Sequence, residues 1–223
     1  MSQPTQITVI RDGLFTSRRL TADINDTVTT AQRLVKEHFG RRPLTAVELV
    51  VTSPKKIPGL AAAAQGAAAG IPENVYAEKR LSCTAKPDDL YSLTVIAPKN
   101  TIRVLINAKR LRRRPREIGA TLVWAFVEVD QLCRKGSLER RIALTRHEMG
   151  SHVLPKGKAR SLYRVEAAME GEAAKVTGQI VGKVIRHSGS DRHRLPTSLR
   201  KWWQGKARVD SLRTGRRRQA YAS

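Results

Sequence analysis

Residues 120 to 131 read ATLVWAFVEVDQ, a run dominated by apolar side chains. Ile118, Leu122, Val123, Phe126, Val129, Leu132 and Cys133 recur at helical spacing and make an apolar face broad enough for a core helix. Pro115 suits the first turn of that helix and Gly136 its end. Upstream the period changes to two. QITVI (6–10), TAVELVVT (45–52), YSLTVIAP (91–98) and TIRVLINA (101–108) read as strands, and the last two are joined by a short Pro-Lys-Asn turn that favours an antiparallel pair. VTTAQRLVKEHFG (28–40) reads as a helix capped by Asp26 or Thr27 and stopped at Gly40.

Between the second and third strands lies GLAAAAQGAAAGI (59–71). This Ala- and Gly-rich run is either a loose helix or a mobile lid, and it falls short of the roughly 20 residues that span a bilayer. Downstream, Ser161 to about His187 reads as a second long helix with Leu162, Val165, Met169, Val176 and Ile180 on its buried stripe. Glu172 falls on that stripe, which predicts a carboxylate turned inward and in need of a partner. The expectation is an α+β fold: a small mixed sheet, a long core helix, a second C-terminal helix and a basic tail. Residues 1–187 form one domain and 188–223 a tail whose composition is that of a disordered segment.

Charge sets the functional class. Among 223 residues, 42 are Lys or Arg and 19 are Asp or Glu, a formal net charge of +23. A field of that sign concentrates polyanions, so DNA or RNA is the expected partner. KRLRRRPR (109–116) places Lys109, Arg110, Arg112, Arg113, Arg114 and Arg116 between the last strand and the core helix, where guanidinium groups make forked bonds to phosphate. Arg18-Arg19, Arg41-Arg42, Arg140-Arg141 and the stretch 156–160 add to it. In the tail, Arg200 and Lys201 flank Trp202 and Trp203, and Arg216, Arg217 and Arg218 follow. Rings among cations suit base stacking with phosphate contact. They also suit anchoring the tail to the core, the first reading for at least one Trp, or lying at an anionic lipid surface.

The stretch 120–131 also resembles the active-site helix of zincin metallopeptidases, in which HExxH sits inside a run like TLVHELVHVDQ. The resemblance covers roughly 91–185 and rests on the flanks. Where zincins have two zinc-binding His and a catalytic Glu, this sequence has Trp124, Glu128 and Ala125, which cannot bind zinc in that way or activate its water. The resemblance implies a zincin-like scaffold without its chemistry. TIRVLINA then stands for the edge strand that aligns substrate, and Glu172, or else Glu166, stands where a third ligand is supplied. A pseudoenzyme that docks peptides or a protein partner along the 101–108 strand is a further reading.

HEMGSH (147–152) is HExxH with one residue too many, which on a helix turns the second His about 140° from the first. It reads as a polar loop, with a zinc peptidase using His147, His152 and Glu172 as the alternative. Zinc enters only there, and no cofactor is otherwise expected. Neither GxGxxG after a strand, GxxxxGK[ST] nor GxSxG occurs. Cys83 and Cys133 lie far apart outside any CxxC, so free buried thiols and a cytoplasmic setting are expected, with no secretory signal or membrane span. Loss of a motif in so basic a chain is compatible with a phage or mobile-element origin.

Overall fold

The computed structural model describes residues 6–13, 17–40, 45–76 and 87–187. The predicted tail, with Arg200, Lys201, Trp202, Trp203 and Arg216 to Arg218, lies outside the described residues, as do Arg41, Arg42 and Cys83. The fold is mixed α+β. In chain order it runs β1 (Ile7–Arg11), α1 (Arg18–Phe39), β2 (Val47–Thr52), α2 (Ile57–Ala68) and the single turn α3 (Glu73–Tyr76). These are followed by β3 (Ser92–Ala97), β4 (Thr101–Asn107), α4 (Ala108–Arg113), α5 (Ile118–Leu132), α6 (Ser137–Glu148) and α7 (Lys156–His187).

The sheet order is β1-β2-β4-β3. β1 and β2 are parallel, with Val9 opposite Leu49, and β2 and β4 are parallel, with Leu49 opposite Val104. β3 runs antiparallel to β4, as the sequence predicted, and the turn between them places Lys99 and Asn100 at φ 58° and 56°. Two consecutive left-handed residues give the turn the twist that a tight hairpin requires. The strand at 101–108, expected at the edge, is corrected to an interior position. It is hydrogen-bonded to β2 on one side and β3 on the other, so no strand can be added to it. The antiparallel edge is β3.

Alternation along the strands divides the core. Val47, Leu49 and Val51 of β2, with Ile102, Val104 and Ile106 of β4, face α1 and α5. Val50, Leu105, Val95 and Ala97 face the other way onto α2. The Ala-rich run is thus a packed helix on that second face, where Ala61 and Ala64 are almost fully buried. Small side chains let its backbone approach the sheet closely.

α1 begins ten residues ahead of the expected start. Its cap is Ser17, whose hydroxyl accepts from the Leu20 amide, while Asp26 and Thr27 lie mid-helix. The stripe Leu20, Ile24, Val28, Ala31 and Val35 runs unbroken through that point. Gly40 ends the helix as expected, at φ 67° with its amide bonded to Lys36 O at 2.8 Å. α6 takes in only His147 and Glu148 of the expected polar loop 147–152, and the remaining four residues turn beyond its end, with Gly150 at φ 74°.

Candidate nucleic-acid interface

Three parallel strands end at one rim of the sheet, and each delivers charged residues there. Asp12 follows β1, Ser53 to Lys56 follow β2, and Lys109 to Arg116 follow β4. In open sheets with parallel strands, the carboxyl ends of the strands border the crevice where ligands bind, because helices leaving in different directions open a gap. Here the gap is a pocket of about 350 Å³ whose charged lining is Asp12, Lys55, Lys56, Asp88, Lys109 and Arg112. Ser17, the cap of α1, also borders it.

The two carboxylates that line the pocket among the described residues are already engaged. Thr52 Oγ1 donates to Asp12 Oδ2 at 2.6 Å and Lys56 Nζ donates to Oδ1 at 3.0 Å. The Thr52 bond first, and then Lys56, hold the Asp12 carboxyl below its ordinary range. Asp88 receives Lys109 Nζ at 2.9 Å and is also held low, chiefly by that bond and further by the charges of Lys109, Arg113 and Lys55.

Beside the pocket, α4 is held by Asn107 at the end of β4. Its side chain accepts from the Arg110 amide at 3.0 Å and donates to Leu90 O at 2.8 Å. Leu111 is buried beneath, and Lys109, Arg112 and Arg113 of this turn are exposed. The predicted cluster 109–116 therefore splits. Arg110 stacks over the Tyr91 ring at 4.7 Å and pairs with Asp89 at 3.7 Å. Arg114 donates to buried Glu117 at 3.2 Å and to Tyr91 Oη at 3.4 Å. Burial, then the bond to Glu117, raises the Tyr91 phenol above its usual range. These two arginines brace the entry to α5. Arg112, Arg113 and Arg116 are exposed and make no ion pair among the described residues.

The residues of the suspected zincin-like cleft also divide. Trp124 and Ala125 are buried in the main core. Glu128 accepts from Thr94 Oγ1 of edge strand β3 at 2.7 Å. Glu166 binds Arg141 Nη1 at 2.7 Å. For Arg141, burial alone would lower the pKa, but Glu166, followed by Glu148, Glu170 and Glu128, outweighs it and raises it. Glu172 finds its predicted partners without full burial. Both its oxygens are held by Arg134, at 2.7 and 2.6 Å, and Gln131 Nε2 donates to it at 3.1 Å.

His147, His152 and Glu172, the alternative metal set, are not brought together into a group able to hold a metal ion among the described residues. His147 Nδ1 accepts from the Leu154 amide at 3.2 Å, His152 is exposed, and Glu172 is committed to Arg134. On α5 and α7, Glu128 is engaged by Thr94, Glu166 by Arg141 and Glu172 by Arg134. No helix among the described residues is long and apolar enough to cross a membrane.

The sequence reading missed Asp12, Thr52, Lys55, Lys56 and Asp88, which border the pocket or brace its carboxylates, and missed Arg134 and Arg141 as carboxylate partners. A signal was present, since polar and charged residues directly follow three of the strands. It becomes legible only once those strands are known to be parallel. No protein-family profile, curated protein or solved structure matches the chain.

Proposed function

We propose that this protein binds nucleic acid without strong sequence choice, through the basic rim at the carboxyl ends of β1, β2 and β4. The observation that carries this reading is that Arg112, Arg113 and Arg116 stand exposed and make no salt bridge among the described residues, next to the cation-lined pocket. Guanidinium groups with no internal partner keep their capacity to bind phosphate, and each phosphate neutralised releases counterions into solution. Such contacts fix the protein on a phosphate chain and carry little base information. Catalysis is not part of the proposal.

The test is fluorescence-anisotropy binding of single- and double-stranded DNA and RNA oligonucleotides across a salt series. Affinity should fall steeply with salt for all of them. Arg112→Gln/Arg113→Gln/Arg116→Gln should weaken binding at least tenfold and lower the salt slope by about 2–3. A flat salt response overturns the reading. Arg114 is left out of that variant because its loss would also expose the buried Glu117 carboxylate.

A second reading draws on the Thr94–Glu128 bond, which ties edge strand β3 to the helix whose sequence resembles the zincin active-site helix. On this reading α5, α7 and β3 retain a zincin-like scaffold, and β3 is the strand along which a peptide would dock. Peptide binding without cleavage, lost on adding Pro within β3, would support it.

A further inference from the structure

We infer that the rim pocket seats a phosphomonoester, the dianionic phosphate at the end of a nucleic-acid strand, rather than an internal phosphodiester. The inference deepens the nucleic-acid reading and rests on it for the identity of the ligand.

The first argument is charge. Among the described residues, the lining carries four cations, Lys55, Lys56, Lys109 and Arg112, against two carboxylates, Asp12 and Asp88. Lys56 is paired with Asp12 and Lys109 with Asp88. Lys55 and Arg112 remain, a surplus of two positive charges in a concave site. A terminal phosphate carries about −1.5 to −2 at neutral pH and matches that surplus, whereas a diester carries a single charge. The carboxylates also act on selectivity. Asp12 is held ionised by Thr52 and Lys56, so a ligand must be rich enough in charge to compete for the surrounding cations.

The second argument is the helix that opens beside the pocket. α1 has 22 residues, and its first turn carries Arg18 and Arg19 with no acidic residue. The amino end of a helix is its positive end and favours an anion, so this end lacks the counter-charge that helices ordinarily recruit from their own first turn. Its cap Ser17 borders the same pocket. The third argument is size. About 350 Å³ lies at the small end of ligand pockets and suits a phosphate with its attached sugar, not a run of bases. Arg113 and Arg116, on the same segment as Arg112, would then engage the chain that leads away.

The experiment compares one short oligonucleotide in three forms, with a 5′-phosphate, with a 3′-phosphate and with hydroxyls at both ends, at fixed salt. A nucleoside monophosphate is titrated separately by NMR. One or both phosphorylated forms should bind about tenfold tighter than the hydroxyl form, and which of them does so identifies the strand end. Lys55→Gln/Arg112→Gln should abolish that preference, while Arg116→Gln should weaken all three forms alike and keep it. Equal binding of the three forms with a normal salt response overturns the pocket and leaves the wider reading intact. Saturable nucleoside monophosphate binding without oligonucleotide binding supports the pocket and overturns the wider reading. Binding of neither overturns both.

Discussion

Two regions of this molecule are rich in arginine and differ in what the arginines face. Around α5, α6 and α7, Arg134 is held by Glu172 and Asp130, and Arg141 by Glu166 with three further carboxylates nearby. At the rim of the sheet, Arg112, Arg113 and Arg116 make no salt bridge among the described residues, and of the three only Arg113 is felt by a carboxylate there, Asp88. The first group joins helices to one another, and the second presents charge to solvent. Net charge counts both equally, so a total of +23 says little about where a polyanion would settle.

The sharpest way to break this contrast is to remove a carboxylate from the helical region. Glu166→Ala leaves Arg141, whose side chain is only 23% exposed, without its nearest counter-ion. Urea denaturation should show a loss of about 2–4 kcal/mol, while oligonucleotide affinity of the folded protein stays unchanged. If Glu166→Ala instead weakens binding and spares stability, the two regions have been assigned the wrong way round. The reciprocal change is the triple Gln variant at Arg112, Arg113 and Arg116. Its stability should remain within about 0.5 kcal/mol of the parent, while its binding falls as described above.

A smaller effect sharpens the contrast within the rim. The folded-state pKa of Asp12 is lowered, so its contribution to stability is present above its unfolded pKa and is lost as pH falls through the folded value. Thr52→Val removes the leading cause of that lowering. The variant should be about 1 kcal/mol less stable at neutral pH, and its stability should vary less with pH in the acid range than that of the parent. Identical acid profiles would show that Thr52 does not hold Asp12.

Much of the fold was legible because burial imposes period. The four strands, the core helix and the long C-terminal helix follow from where Val, Ile and Leu recur. The errors have physical causes of the same kind. Asp26 and Thr27 look like a cap, yet the stripe that begins at Leu20 buries enough surface to carry the helix through them. The Ala run is not among them: its sequence leaves helix and lid both open, because without large side chains it shows no stripe, and the packed helix buries one face against β3 and β4. The strand at 101–108 was placed at the edge because it precedes the core helix in sequence. Pairing partners, not sequence neighbours, decide what is an edge. The suspected cleft shows the same limit, since Trp124 ends in the main core and Glu172 on Arg134, while Glu128 and Glu166 both stand near Arg141.

By itself the sequence determined an α+β chain with a surplus of cations and a helix at 120–131 that lacks zinc-binding histidines, because composition and periodicity are local properties. Tertiary structure alone decided which cations are neutralised and which are not. That depends on carboxylates brought from distant positions to within a few ångströms, and on three parallel strands ending together at one rim, neither of which is written in any single segment.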